Sequence, residues 1–445
     1  MKVYDTHSKQ LVDLRPVNPD WVTMYVCGPT VYDRAHLGNA RSAIVFDLLF
    51  RVLRDQYPTV TYARNFTDID DKIITRSDEL GISFQDLTEQ TIAWYHDDMD
   101  ALGVLRPTHE PRATKYIQKM IDAIQTIIDN GDAYETQDGH VYFSTSTDNN
   151  QKYARVISSS IKTNSADFVL WKPALENQPG WQAGFGGSIR SGRPGWHIEC
   201  SVMATELLGD TFDIHGGGCD LQFPHHHNET CQAKSINPEA DYARHWMHNG
   251  MLTIDGKKMS KSLGNFTTVH DLLVMKIPPP AIRMMLLSTR YGDSLDLTDR
   301  LLGQYITIWR SWSLAVQNVD SIQVPLASTG LLNDLNTPET FALMHEFTNT
   351  DKLGELKYLM EIMGIDWTYC EFDDETVTAI QLIMKSRQQA RDNKDFRISD
   401  GIRADVAEFG IHIMDVAGAQ EWTAVGIVNH SALMNYSVDT PVFQC

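Results

Sequence analysis

An α/β fold built on a parallel sheet is what the sequence predicts, and three observations carry that reading. Residues 22–27 form an apolar run that reads as a buried strand, broken by Gly28 and Pro29 and followed by a helix-length apolar segment at 40–53. Residues 59–66, TVTYARNF, read as a second strand with Val60, Tyr62 and Ala63 inward. An acidic turn at 67–72 then leads to a helix near Ile73. Strand, helix, strand, helix in succession is the order of a parallel sheet.

Size and charge narrow the function. A chain of 445 residues has room for two or three domains and a large core. The net charge of −20, from 38 basic and 58 acidic side chains, argues against non-specific coating of nucleic acid or anionic membrane. It leaves room for a local basic groove that fits a structured RNA. The opening MKVYDTHSKQLVD lacks the apolar core of a secretory leader, and no apolar stretch has bilayer-spanning length. Six scattered cysteines, at 27, 200, 219, 231, 370 and 445, then read as reduced thiols of a cytoplasmic protein.

The remaining elements follow in order. Ser83-Phe84-Gln85-Asp86 predicts a capping box opening a helix toward Leu102. Pro111 reads as the N1 proline of the next helix, with Ile117, Met120, Ile121, Ile124, Ile127 and Ile128 on its apolar face. Asn130-Gly131 stops that helix, and Asp138-Gly139 marks a hairpin. Residues 144–195, rich in Ser, Asn, Gly and Gln, read as an irregular insertion with mobile surface loops. Short strands are expected at 211–214, ending in Gly216-Gly217-Gly218, and at 251–254. Beyond 278 the segments 280–289, 299–316, 338–348, 351–363 and 374–395 read as amphipathic helices, with a linker at 321–329. Residues 404–445 contain no Lys or Arg.

Three stretches carry chemistry. The first strand, its turn and the following helix N-terminus make a phosphate site, with Cys27 at the carboxyl end of the strand. The stretch 212–231, FDIHGGGCDLQFPHHHNETC, is dense in metal donors. Pro224 can open a helix that places His225 and Glu229 on one face, and the thiolates of Cys27 and Cys200, both near predicted strand ends, would complete a zinc site. Cys219, Cys231, His226 and His227 compete as donors. With no CxxC pair present, spacing alone favours an exposed helix pair at 225 and 229 and inert buried thiols. The loop 256–265, GKKMSKSLGN, sets Lys258 and Lys261 around Met259 and Ser260, with Ser262 next. Its ammonium groups suit a departing pyrophosphate, with His36 and Asn39 opposite as hydrogen-bond donors. The Walker pattern is absent.

HLGN at 36–39 and KMSKS at 258–262 resemble the two signatures of class I aminoacyl-tRNA synthetases. MYVCGPTVYD (24–33), NFTDIDDKI (65–73), EPRAT (110–114), DFVLWK (167–172), GRPGWHIECS (192–201), FDIHGGG (212–218), FPHH (223–226) and WMHNGML (246–252) resemble the cysteinyl-tRNA synthetases within that class. NTPE (336–339) and, weakly, residues 387–422 extend the likeness.

The resemblance implies a Zn2+ ion on Cys27, Cys200, His225 and Glu229, and ATP with Mg2+ on His36, Gly38, Asn39, Lys258, Met259, Ser260, Lys261 and Ser262. His36, Asn39, Lys258 and Lys261 would carry the catalytic weight, and Cys27, Gly28, Thr67, Trp196 and His215 the amino-acid pocket. It implies L-cysteine, ATP and tRNA(Cys) as partners of a monomer without membrane attachment. Residues 1–110 and 196–265 would form a Rossmann-like catalytic domain, with 111–195 a connective insertion and 266–305 a stem-contact junction. Residues 306–395 would be a tRNA-binding helical bundle and 396–445 a small anticodon-side domain.

Four departures stand out. Asn39 replaces a second His, His227 replaces a Glu, Cys219 stands where Ser is common, and the insertion is shorter. The C-terminal domain lacks its usual cations, so Trp422 or Arg387, Arg391, Lys394, Arg397 and Arg403 would meet the anticodon. A cysteine ligase of mycothiol synthesis and a non-catalytic tRNA-binding paralogue share many of these motifs. The helices beyond 330 argue against the first, and intact signatures and donors against the second.

Overall fold

The computed structural model describes residues 1–145, 156–157, 162–176, 178–185, 189–259, 264–416 and 419–436. Its central sheet has four parallel strands in the spatial order Tyr242–Asn249, Thr211–Gly218, Trp21–Val26, Thr59–Arg64. The first strand in sequence therefore lies inside the sheet, and the chain leaves it toward one edge and later returns on its other side. This reversal of strand order is where open α/β sheets bind ligands. The expected strand ending at the glycines instead runs through them to Gly218. A Cβ on Gly216 would stand 2.3 Å from the Phe46 ring, so the glycine lets a helix pack directly on the strand.

That helix, Leu37–Gln56, carries the structural load. Its apolar residues, including Ile44, Phe46, Leu48 and Leu49, are buried in the main core. Two of its charged residues are buried as well. Arg41 donates to the carbonyls of Gly250 and Met251 at 2.9 Å and of Asp293 at 2.7 Å. Asp47 accepts from Leu105 N at 2.8 Å and Arg51 Nε at 2.9 Å, and pairs with Arg283, itself fully buried.

The second sheet has six strands, in the order Val156–Ile157, Ala133–Thr136, Val141–Phe143, Phe168–Pro173, Ile189–Pro194, Trp181–Gly184. The irregularity expected over 144–195 is thus corrected where the chain is described. The strands of 168–194 lack apolar alternation and are held by antiparallel pairing and the buried Trp171, while Val156–Ile157 pairs parallel to Ala133–Thr136. Pro111 also differs from expectation. Residues 109–112 run beside the second strand, with Arg64 N bonded to His109 O and Phe66 N to Pro111 O, so the helix begins only at Ile117. Ser83 does cap its helix, accepting from Asp86 N at 3.0 Å.

The five helices expected beyond 278 are present as Pro279–Leu286, Asp299–Val316, Thr337–Asn349, Leu353–Ile362 and Asp374–Asp392. The last of these, with a further helix, Phe396–Glu408, and a hairpin of Ile411–Val416 with Ala419–Ala424, encloses a separate small core around Ile380, Ile383, Ile402, Val406 and Ile413. Among the described residues no helix is long and apolar enough to cross a membrane.

Two predictions follow from buried charge. Asp47→Ala leaves two guanidinium groups without their carboxylate and should cost about 3–5 kcal/mol, read as a clear fall in Tm. An unchanged Tm contradicts the assigned role. Asp98 lies with one carboxylate oxygen 3.7 Å from Arg34 and the other buried without a partner. Burial raises its carboxyl from 3.8 to about 6 against the pull of Arg34. The native state therefore binds this proton more tightly than the unfolded chain. This contribution is fully present below about pH 4 and is lost as pH rises through 6. Asp98→Asn should flatten that part of the Tm–pH curve and raise Tm at pH 7; a curve parallel to the parent's rejects the assignment.

Candidate functional site

A cavity of about 560 Å³ opens at the carboxyl ends of the first and third strands, lined among others by Cys27, Gly28, His36, Asn39, Trp196 and Lys258. Cys27 N bonds to Gly216 O across the two strands at 3.0 Å. Gly28 follows because nothing larger fits: a Cβ would lie 1.7 Å from the carbonyl oxygen of Asn65, whose side chain receives the Gly28 N–H at 2.8 Å.

Against one wall four donor side chains meet. The ligand atoms of Cys27, Cys200, His225 and Glu229 all lie within 4.8 Å of one another, and all four residues are buried. Cys27 comes from the strand end. Cys200 comes from the helix Trp196–Leu208, not from near a strand end as expected. His225 stands just before the helix His227–Ile236 and Glu229 in its first turn, so one element presents both. The two sulfurs are 3.6 Å apart, and Cys27 Sγ is 3.6 Å from Glu229 Oε1. Two thiolates on one tetrahedral zinc, each about 2.3 Å from it, stand roughly 3.7–3.8 Å apart, so the spacing fits. His225 Nε2 lies 3.0 Å from Glu229 Oε1. The second carboxylate oxygen is held by His215 Nε2 at 2.8 Å and by the Tyr242 hydroxyl at 2.7 Å.

The electrostatics match this donor chemistry. Burial opposes the charge on Glu229, but the His215 and His225 imidazoles and the Tyr242 hydroxyl hold its carboxyl down at about 2. Burial also opposes a Cys200 thiolate, yet its hydrogen bonds with Cys27 and His225 bring it to about 6. Burial, Cys200 and Glu229 push the Cys27 thiol up. Burial and the neighbouring His225 keep His197 neutral, at about 3. A second set, Cys27, His215, His226 and Glu229, also converges within 4.8 Å. It offers one sulfur where the first offers two, so the first suits a thiophilic ion better. Of the competing donors, only His226 enters either set. His227 instead lies 3.8 Å from Cys231 at the surface.

The start of the helix Leu37–Gln56 forms another part of the lining. His36 caps the long helix, its Nδ1 accepting from Asn39 N at 3.2 Å while Asn39 Oδ1 accepts from His36 N at 3.3 Å. Asn in place of a second His thus closes a reciprocal cap. A Cβ on Gly38 would lie 2.9 Å from the His36 ring, which explains the glycine. Leu37 N bonds to Thr267 O at 3.1 Å and Val269 N to Ala35 O at 3.4 Å, so the helix start and the chain beyond the lysine loop are one ladder. Lys258 and Met259 line the cavity, as do Arg34 and Lys72. Ser260, Lys261 and Ser262 lie outside the described residues.

The expected amino-acid residues divide. Cys27, Gly28 and Trp196 line the cavity, and Trp196 stacks on His225 with centroids 4.2 Å apart. Thr67 and His215 stand behind its wall, Thr67 donating to Glu199 at 2.9 Å and His215 facing Glu229. Sequence reasoning missed Arg34, Lys72, His197 and Tyr242, whose roles arise only when distant segments meet. At the far end, Arg387 is buried and forked on Asp415 at 2.9 and 3.0 Å, and Arg391 reaches the same carboxylate at 3.1 Å. Arg387 is therefore not available to an anticodon, which corrects that expectation; Lys394, Arg397 and Arg403 remain exposed.

Residues 13–306 match the family model of the tRNA synthetases class I (C) catalytic domain. A cysteine--tRNA ligase of Ruegeria sp. (strain TM1040) is 43% identical over 93% of this chain and 94% of its own length. One of Orientia tsutsugamushi (strain Ikeda) is 42% identical over 95% and 99% respectively. The methionyl-tRNA synthetase of Mycobacterium tuberculosis bound to methionyl-adenylate shares the fold, with a TM-score of 0.51, 14% identity and coverage of 75% of this chain and 83% of that one. With the catalytic-domain match and relatives this similar along nearly the whole chain, the protein belongs to the cysteine--tRNA ligase family of class I aminoacyl-tRNA synthetases.

Proposed function

We propose that this chain activates L-cysteine with ATP to cysteinyl-adenylate and pyrophosphate, then transfers cysteine to tRNA(Cys), as a cytoplasmic monomer. The observation that carries this reading is the position of the two-thiol cluster on the wall of the same cavity that holds the helix N-terminus and Lys258. Cys27, Cys200, His225 and Glu229 would hold zinc. The bound ion would supply a soft position that takes a thiolate strongly and the hydroxyl of serine weakly.

The chain's own groups then do positioning and charge neutralisation. Trp196, stacked on His225 and lining the cavity, would pack against cysteine bound at the donor cluster. The capped start of Leu37–Gln56 turns its positive dipole end toward the phosphates of ATP with its Mg2+. Lys258 and Lys261, on the loop beyond it, are assigned to the departing pyrophosphate, with Met259, Ser260 and Ser262 shaping the nucleotide site. Arg34 and Lys72, which also line the cavity, add positive charge there. Attack of the cysteine carboxylate on the α-phosphorus expels pyrophosphate, and the terminal ribose hydroxyl of tRNA then displaces AMP. The helical bundle at 306–395 and the domain at 396–445 are assigned to tRNA, with Lys385, Lys394, Arg397 and Arg403 among the exposed cations.

Cysteine-dependent ATP–pyrophosphate exchange, with zinc measured on the same sample, tests the reading. Exchange with serine should be weaker by about 10³-fold or more, because the site is matched to a soft donor. Cys200→Ser should lose both zinc and exchange. Equal exchange with both amino acids, or full exchange in a zinc-free Cys200→Ser protein, contradicts it.

A further inference from the structure

His197 stands beside the donor cluster without belonging to it. It lies in the first turn of the helix that carries Cys200, and its Nδ1 is 2.8 Å from Nδ1 of His225. Two imidazole nitrogens at that separation share one proton. Its owner follows from the other face of His225. Nε2 points at Glu229 Oε1, 3.0 Å away, and is the atom directed into the cluster. A histidine that offers a lone pair to a cation through Nε2 carries its proton on Nδ1. His225 therefore donates, and His197 Nδ1 accepts.

We propose that His197 is a positioning residue that fixes the tautomer and ring orientation of His225 for metal binding, a role a carboxylate or backbone carbonyl more often fills. The proposal rests on the zinc reading above. Charge explains the choice of a neutral acceptor. Two thiolates and one carboxylate already exceed the charge of a divalent cation by one, and an arriving substrate thiolate adds another. A carboxylate behind His225 would add a further negative charge in the same buried region, where Glu199 is also enclosed. An imidazole supplies the hydrogen bond without it. The ring is held in place by packing: Phe168 meets it edge-on at 5.6 Å and Trp196 lies at 5.2 Å.

Two variants of the full-length protein separate acceptor from packing. His197→Phe keeps an aromatic ring and removes the acceptor. His197→Asn loses the ring and keeps an acceptor oxygen near the Nδ1 position. Zinc affinity is read by competition with a chromogenic chelator, and ligand geometry by the visible absorption of the cobalt(II)-substituted protein. His197→Phe should bind zinc about 10–100-fold more weakly and alter the cobalt spectrum, while His197→Asn stays within about threefold of the parent. Equal loss in both variants, greater loss in His197→Asn, or parental affinity in His197→Phe overturns the proposal and leaves the zinc reading standing. A parent protein that binds no zinc overturns both.

Discussion

Crowding of negative charge in a dry place is the constraint from which the rest of this structure follows. Two sulfurs and a carboxylate oxygen lie within 3.6 Å of Cys27 or are Cys27 itself, and all are buried. Without a cation the three groups compete for charge: Cys200, hydrogen-bonded to Cys27 and His225, comes down to about 6, while burial, Cys200 and Glu229 push the Cys27 thiol up. With a divalent cation the repulsion becomes attraction, and the neighbours make sense. His215 and Tyr242 occupy the outer oxygen of Glu229, leaving Oε1 for the cluster. His197 occupies the outer nitrogen of His225.

The fold brings these groups together from four separated stretches and holds them to a nucleotide site. The strand-order reversal opens the crevice, and the glycines at 28 and 216 let backbone and helix approach it closely. Arg41, clasping three carbonyls around 250 and 293, ties the helix Leu37–Gln56 to the strand that precedes the lysine loop. The ladder between 35–37 and 267–269 fixes the other side of that loop. A thiol placed at the cluster and a triphosphate at the helix start would thus be held in one frame. Adjacency of this kind is what an adenylate-forming reaction requires.

Much of the parallel sheet and the helical C-terminal half was legible because buried strands and amphipathic helices write their period into the chain. The inserted sheet was legible only at its Asp138-Gly139 hairpin, which joins Ala133–Thr136 to Val141–Phe143. Strands such as Trp181–Gly184 and Ile189–Pro194 have no apolar alternation, and their partners are supplied by tertiary pairing. Pro111 misled for a similar reason: its segment is claimed by a neighbouring strand, a contact no local rule anticipates. Within the site, donor chemistry suggested Cys27, Cys200, His225 and Glu229, yet spacing left rivals that only the resemblance and then the geometry separated. Cys219, Cys231 and His227 belong to neither converging set, whereas His226 belongs to one. His197 and Tyr242 carried no local signal, since each acts through a residue far away or on another element.

The departures from the family pattern fall into two kinds. Asn39 is absorbed without loss, because its amide completes the helix cap with His36. The C-terminal cations are a real redistribution: Arg387 is spent on Asp415 of the neighbouring hairpin, while Lys385, Lys394, Arg397 and Arg403 stay exposed. The central claim concerns the cluster itself, and X-ray absorption at the zinc edge of the purified protein addresses it directly. The account predicts two sulfur scatterers at about 2.3 Å and two nitrogen or oxygen scatterers at about 2.0–2.2 Å, with a third sulfur on adding cysteine. A first shell without sulfur, or one unchanged by cysteine, would contradict it.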